Sequence, residues 1–322
     1  MSTELTNSDT SLVVVSYYDR RPTTDLLKLL GSMHEHDAGA RFEVQLVVNR
    51  AVGAEVDIPK LPFKVSVAYR ENTGMNIGAW DHGWRINRGR PAYVFIQDEC
   101  VVTRAGWLRA YLQRIGEPGV GMVGESLNTK WNKSWSQLEA LNLGVTMADH
   151  FIDGVAADRV AVYLHALNRW GVDPGDSGLH LRSLVWALPD RIMERIGGFP
   201  LGANYGECIA AEIAVGRAVA ALGCSVAQVS EREFYYIWHS EWNQDFPGEC
   251  FSHSKSRAKA AGFDLPEIRQ KLDADMESLV ERLDRLEGVD RALAINSLLL
   301  RLQDKDREIA ALRALTKTRR GG

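Results

Sequence analysis

Blocks of apolar residues recur along the first two-thirds of the chain and are separated by polar stretches. The blocks rich in β-branched and aromatic residues predict buried strands, at residues 11–18, 42–48, 63–69, 92–97 and 120–124. Leucines at helical spacing follow Arg21-Pro22-Thr23, and residues 74–86 have the pattern of a helix opened by glycines. Both patterns predict helices that connect consecutive strands.

Strands and helices that alternate in this way predict an α/β fold with a mostly parallel, doubly wound, Rossmann-like sheet. In such sheets ligands bind beyond the carboxyl ends of the strands. The fourth predicted strand ends at Gln97 and is followed at once by Asp98 and Glu99. We therefore expect these two acids at the functional edge of the sheet.

The middle of the chain is less regular, and the rhythm of strands and helices resumes after it. Residues 147–170 predict a helix and residues 180–189 a further strand. Residues 190–200 predict a helix closed by two glycines, and a long helix is expected over 207–223. A last strand is predicted at 225–229.

The C-terminal part differs in kind, since residues 265–315 contain almost no glycine and carry a narrow apolar seam between many charges. Apolar residues recur there at steps of three or four, as in a coiled coil or a long bundled helix. We expect this segment to form a homo-oligomer, with packing against the chain's own body as the alternative.

Composition narrows the classes of function. The chain has a formal net charge of −4, so nothing in its overall charge favours nucleic acid as a partner. Four scattered cysteines without a CxxC pair indicate free thiols in a reducing compartment. No apolar run is long enough for a membrane helix, and the first ten residues lack a signal-peptide pattern. A cytoplasmic protein is expected, with the inner face of the membrane as an alternative location.

Four segments of the chain carry a further pattern, in the order VVVSYYDRRP, YRENTGMNIGAWDHGWR, QDECVVTRAGWL and GGFPLGANYGECIAAEIAVGRAVAALGC. Taken in this order, they resemble the GT-A fold glycosyltransferases of family 2, which use nucleotide-sugar donors and invert the anomeric configuration. In the first, the resemblance implies that Ser16, Tyr17 and Asp19 flank the donor's nucleotide. The alternative is a buried strand that ends in a capped helix.

The second segment is similar to the part of the family that approaches the donor's diphosphate. Gly74 and Gly78 would let the backbone come close to the phosphates, and amides at a helix start suit anions. Asn72 and Asn76 would add neutral donors, and Arg70 would contact the base or a phosphate. The alternative is that the glycines let helix and sheet pack closely.

The third segment resembles the family's aspartate-rich, metal-binding motif. The resemblance implies that Asp98 and Glu99 hold Mg²⁺ or Mn²⁺ beside the departing diphosphate, with Gln97 and Asp98 on the nucleotide sugar. His239, after the last predicted strand, would complete the metal site or touch the diphosphate. Cys100 stands close to the position of a second acid and is a poor ligand for a hard cation. A solvated acidic turn is the alternative.

The fourth segment resembles the family's acidic pair at a helix start, which supplies the general base. Counting forward from the glycines places Glu207 on the pair and Cys208 where its aspartate should stand, whereas counting back from Arg217 and Gly223 selects Glu212. We expect Glu212 to be the base, with Glu207 as the second candidate.

The resemblance implies an inverting hexosyltransferase that moves a sugar from a nucleotide-diphosphate sugar to a glycan, lipid-linked or protein acceptor in bacterial glycan or surface polysaccharide assembly. The expected organisation is a flexible segment 1–10, a transferase domain 11–262 with a donor half 11–124 and an acceptor half 125–262, and a helical oligomerisation region 263–322. A nucleotidyltransferase or an NAD-dependent oxidoreductase is disfavoured because no glycine-rich loop follows the first strand. The remaining alternative is a degenerate transferase domain that serves as a scaffold.

Overall fold

The computed structural model describes residues 10–53, 55–142 and 146–239, together with positions 285, 288, 291, 294 and 295. The segment 1–9 and almost all of the predicted oligomerisation segment 265–315 lie outside the described residues, as does the predicted domain boundary near residue 262. The chain divides into two compact units. The first comprises residues 1–132 and 162–248, and the second comprises residues 133–161 and 249–322.

A seven-stranded sheet forms the centre of the first unit. Its strands are β1 (Ser11–Tyr18), β2 (Phe42–Arg50), β3 (Val65–Glu71), β4 (Ala92–Gln97), β6 (Val120–Gly124), β9 (Val185–Pro189) and β10 (Ser225–Gln228). They lie in the order β10-β6-β9-β4-β1-β2-β3, and among them only β9 runs antiparallel to its neighbours. The prediction of a mostly parallel α/β sheet is confirmed.

Helices cover both faces of this sheet, and the alternation of side chains along β1 shows why. Val13 and Val15 belong to a core cluster with α1 (Thr24–Glu35) and α3 (Trp107–Ile115). Leu12 and Val14 point to the opposite face, into a cluster with α2 (Met75–Arg85), α6 (Asp190–Ile196) and α7 (Tyr205–Ala221). Because successive side chains of a strand point to opposite faces, an all-apolar strand needs cover on both sides.

The second unit corrects one prediction. Residues 147–170 were expected to be helical, but β7 (Thr146–Ile152) and β8 (Val155–Asp158) form an antiparallel hairpin, and the helix α5 begins only at Arg159 and runs to Arg169. Asp153 and Gly154 join the two strands with φ angles of +50° and +80°. Aspartate followed by glycine is a preferred sequence for a tight hairpin turn, and this turn overrides the helical pattern around it. The helix α4 (Trp135–Asn142) precedes the hairpin.

Two short strands of the first unit were not predicted. β5 (Cys100–Val102) pairs antiparallel with β11 (Ile237–His239) beside the main sheet. Each of these strands has only three residues, which is too few to show a periodic hydrophobic pattern in the sequence. Within the described ranges, no helix combines the length and apolar character that crossing a membrane requires.

Candidate active site

The predicted acids lie where two neighbouring parallel strands end. Ser16 of β1 stands opposite Gln97 of β4, and the backbone N–H of Asp98 donates to the carbonyl of Ser16 over 3.1 Å. Asp98 is buried, whereas the Glu99 side chain keeps a fifth of its surface exposed. Burial raises the pKa of Asp98 to about 7, an effect that Arg21 opposes and Glu99 reinforces.

A guanidinium lies against these two carboxylates. Arg21, in the turn after β1, forms an ion pair with Glu99 and lies 3.7 Å from Asp98 Oδ1. The second oxygen of Asp98, Oδ2, is buried and has no hydrogen-bond partner among the described residues. A buried acceptor of this kind is costly unless a ligand completes it.

Cys100 directly follows the two acids and begins β5. Its thiol is buried in the core beneath the sheet edge, 3.5 Å from the carbonyl of Leu184, and burial raises its pKa well above the ordinary value. A buried thiol with a raised pKa stays protonated and is a poor ligand for a hard cation. On the neighbouring strand, His239 stands opposite Cys100, and its Nε2 lies 3.9 Å from Glu99 Oε2.

The acids were also predicted to bind a metal. Within the described part of the chain, no group of three or more His, Cys, Asp or Glu side chains is arranged to hold an ion. Mg²⁺ is commonly held, however, by one or two carboxylates together with waters and substrate phosphates. Asp98 and Glu99, with the unsatisfied Oδ2, fit this arrangement, in which most ligands come from outside the protein.

Glu212, on the second turn of α7, is an acid whose pKa lies near neutral pH. Its Oε2 accepts a hydrogen bond from the backbone N–H of Ser183 (3.1 Å), and its Oε1 accepts one from the Ser183 hydroxyl (2.8 Å). Burial raises the pKa of Glu212 to about 7, although Ser183 and the charge of Arg182 lower it. Such a pKa suits a general base at neutral pH.

His180 lies close to Glu212 but does not form a charged pair with it. The two side chains approach to 3.6 Å, while burial lowers the pKa of His180 to about 4. His180 Nδ1 is 2.6 Å from the carbonyl of Gly178, which makes Nδ1 the protonated nitrogen, and Nε2 then accepts from Asn128 Nδ2 at 3.3 Å. The imidazole is therefore neutral and offers Glu212 no proton.

Ser183 connects this base to the sheet edge. Its carbonyl accepts hydrogen bonds from Gln97 Nε2 (2.6 Å) and Asn76 Nδ2 (2.8 Å). One residue thus joins the end of β4, the start of α2 and the carboxylate on α7. Met75, just before Asn76, has a φ of +51°, a strained value for a residue with a side chain.

Glu207, the second candidate for the base, is placed differently from Glu212. Both of its oxygens accept from the guanidinium of Arg169, at 2.9 and 2.7 Å, and Oε2 also accepts from the N–H of Ala203. These partners hold the pKa of Glu207 below its ordinary value against the opposing effect of burial. A carboxylate stabilised in this way is a weak base. Cys208 is buried, and burial raises its pKa to about 12.

The residues predicted to flank the nucleotide are mostly engaged within the fold. Ser16 is buried inside the sheet, and the hydroxyl of the buried Tyr17 donates to the carbonyl of Arg21 over 2.5 Å. The carboxylate of Asp19 accepts from the N–H groups of Ala51, Val52 and Gly53. Tyr17 thus has no exposed face for stacking, and Asp19 orders the loop after β2.

The predicted diphosphate segment divides in a similar way. Arg70 has a structural role, because its guanidinium donates to Asn49 Oδ1 and to the carbonyl of Thr73, both at 2.8 Å. A Cβ on Gly78 would lie 2.0 Å from that same carbonyl, so Gly78 serves close packing. Gly74 is the left-handed residue that opens α2. Asn72 is exposed beside it.

Sequence reasoning missed Glu125, the residue after β6. It is buried and accepts hydrogen bonds from the Tyr111 hydroxyl (2.9 Å) and from the N–H groups of Tyr235 and Ile237 (2.8 Å each). These bonds fasten the segment that carries His239. An acid directly after a buried strand was the available signal.

Comparisons with known proteins show solved structures in which the chain follows a similar course. No family model matches the sequence, and no curated protein matches it. Among solved structures, a mannosyltransferase from Pyrobaculum calidifontis, in complex with GDP-Man and Mn²⁺, is 14% identical with a TM-score of 0.46, over 96% of this chain and 85% of that chain. TarS residues 1–349 from S. aureus are 13% identical with a TM-score of 0.42, over 71% of this chain and 60% of that chain.

Proposed function

We propose that this protein transfers a sugar from a nucleotide-diphosphate sugar to an acceptor hydroxyl, with inversion and with Glu212 as the general base. The observation that carries the proposal is the hydrogen-bonded connection from Glu212 through Ser183 to Gln97 and Asn76. It joins a buried base of near-neutral pKa to the strand edge that bears Asp98 and Glu99.

The chemistry needs such a base because an acceptor alcohol must lose its proton as the new glycosidic bond forms. Each oxygen of Glu212 accepts one hydrogen bond from Ser183, which leaves a second lone pair on each oxygen. The attacking hydroxyl donates to one of these lone pairs, its oxygen bonds to the anomeric carbon, and the bond to the diphosphate breaks. A single displacement of this kind inverts the anomeric configuration.

Asp98 and Glu99 are assigned to the donor side. A divalent cation held by them would neutralise the charge that gathers on the departing diphosphate. Gln97 and Asn76 hold Ser183 in register with the base, and Asn72 and Gly74 lie at the start of α2 for contact with the donor. The acceptor is proposed to be a bacterial glycan, lipid-linked sugar or protein, and the protein is proposed to act as a cytoplasmic homo-oligomer.

The test is a transfer and donor-hydrolysis assay across UDP-, GDP- and dTDP-sugars, with and without Mn²⁺, with the product's anomeric configuration read by NMR. Glu212→Gln should lower transfer by about 100-fold or more while nucleotide binding persists. Glu194→Gln, which changes an exposed acid on α6, is the matched control and should behave as wild type.

Two results would decide against the proposal. If Glu212→Gln retained full transfer, the base would lie elsewhere. If wild type bound a nucleotide without turning over any donor, the scaffold alternative would be favoured.

A further inference from the structure

Just after β1, the side chain of Arg21 already supplies a positive charge at the proposed cation site. Its guanidinium pairs with Glu99 and lies 3.7 Å from Asp98, the two carboxylates assigned above to a divalent cation. A metal ion beside the same two carboxylates would lie close to the positive guanidinium, and like charges repel each other. The two cations must therefore compete.

We propose that Arg21 is a displaceable counter-ion, which holds the Asp98–Glu99 pair until a nucleoside diphosphate arrives with a metal ion and then binds the diphosphate itself. The inference rests on the proposed function, because it assigns the donor to this edge. Arg21 thereby makes metal binding conditional on the nucleotide.

The anchoring of Arg21 suits such a role. Its backbone is fixed, because its N–H donates to the carbonyl of Tyr18 (2.9 Å) and its carbonyl accepts from the Tyr17 hydroxyl (2.5 Å). Its side chain, in contrast, is 44% exposed. The guanidinium can therefore leave the carboxylates without unpacking the core, and its planar donor fork matches a phosphate.

The unsatisfied oxygen of Asp98, Oδ2, favours the binding of a second cation at this site. Asp98 is almost fully buried, and its Oδ2 has no hydrogen-bond partner in the described part of the chain, while Oδ1 faces Arg21. A metal bound with phosphates would complete Oδ2. Without the phosphates, the metal would bring two positive charges beside the guanidinium of Arg21, and this repulsion would weaken its binding.

The test measures Mn²⁺ binding by electron paramagnetic resonance and nucleotide binding by calorimetry, on wild type, Arg21→Gln, Arg21→Lys and Arg20→Gln. An adjacent guanidinium changes the proton affinity of a carboxylate by a factor of ten or more. Arg21→Gln should therefore bind Mn²⁺ alone at least about tenfold more tightly than wild type. In EDTA, it should bind UDP, GDP or dTDP more weakly.

The other variants separate the ion pair from general charge effects. Arg20→Gln removes the same charge from the neighbouring exposed residue and should match wild type, and Arg21→Lys should restore most of the wild-type behaviour. Equal Mn²⁺ affinity of wild type and Arg21→Gln would overturn the inference. Failure of wild type to bind Mn²⁺ together with any of the three nucleotides would instead overturn the proposed donor site.

Discussion

Within the described part of the chain, Glu212 receives its two hydrogen bonds from a single residue, Ser183, whose backbone N–H and hydroxyl donate to the two carboxylate oxygens over 3.1 and 2.8 Å. Ser183 is in turn held by Gln97 and Asn76 through its carbonyl. The position of the proposed base thus depends on three other segments of the chain. Its ionisation depends on the balance between burial and these two donors.

The transfer rate should rise with pH through about 7, because Glu212 acts as its anion and burial raises its pKa to about 7. The charged or titratable groups facing it are Arg182, which stays positive, His180, which is neutral above a pKa of about 4, and Cys208, which is protonated below about 12. The pH profile of kcat at saturating donor checks this prediction. A flat profile between about pH 5.5 and 8.5 would exclude Glu212 as the titrating base.

Ser183→Ala should move that profile without abolishing activity. The variant removes the hydroxyl bond to Oε1, and a hydrogen bond to a charged group contributes about 1.5–3 kcal/mol. The apparent pKa should rise by about one unit or more, so kcat falls about fivefold or more at pH 7 and recovers at higher pH. Ser183→Thr keeps a hydroxyl and serves as the control. A loss of equal size at every pH would mean that Ser183 is merely structural.

The sheet and the position of Asp98 at its edge could be predicted because their signals are local. The apolar runs predicted at residues 11–18 and 92–97 match β1 and β4 at both ends. Asp98 follows β4 directly and so lies at the carboxyl ends of the strands, where ligands bind in such sheets. The sequence pattern favoured Glu212 over Glu207, but the different environments of the two acids could not be predicted from it. The environment of Glu207 depends on Arg169, which lies 38 residues from Glu207 along the chain but within hydrogen-bond distance of it.

Glu125 and the β7–β8 hairpin were missed for different reasons. Glu125 acts through partners from distant parts of the chain, Tyr111 and the segment at 235–237, and no periodic pattern reports such contacts. The hairpin had a local signal in Asp153-Gly154, but the helical spacing that continues into α5 concealed it.

Glu207→Gln should destabilise the fold and leave the chemistry intact. The change removes the ion pair with Arg169, which is partly exposed and remains hydrated, so the free energy of unfolding should fall by about 1–3 kcal/mol. Because the folded pKa of Glu207 is lowered, the stability it contributes is present above its unfolded pKa and is lost as pH falls below about 4. Urea unfolding at pH 7 and pH 3.5 measures both effects. A Glu207→Gln variant with wild-type stability and no transfer would restore Glu207 as the base.

Glu125→Ala should loosen the segment that carries His239. Three donors lose their acceptor, and each buried donor left unsatisfied costs about 1–3 kcal/mol. Hydrogen exchange should therefore accelerate at residues 235–239 well before it does in β1 or β4. Tyr111→Phe removes one of the three bonds and should give a smaller change in the same segment. Uniform exchange across the sheet would show that Glu125 supports the whole fold instead.

Two glycine-to-alanine changes should act in opposite directions, and together they test the packing role of Gly78. A Cβ at Gly78 would lie 2.0 Å from the carbonyl oxygen of Thr73, so Gly78→Ala must displace backbone at the start of α2 and should cost more than about 1 kcal/mol of unfolding free energy. Gly31, inside α1, has no atom within 4 Å of its Cβ position, and Gly31→Ala should gain about 0.5–1 kcal/mol from the higher helix propensity of alanine. Denaturant unfolding of both variants measures the two changes on the same scale. If Gly78→Ala were as stable as wild type and only donor binding fell, Gly78 would be a ligand-approach glycine, as the resemblance first implied.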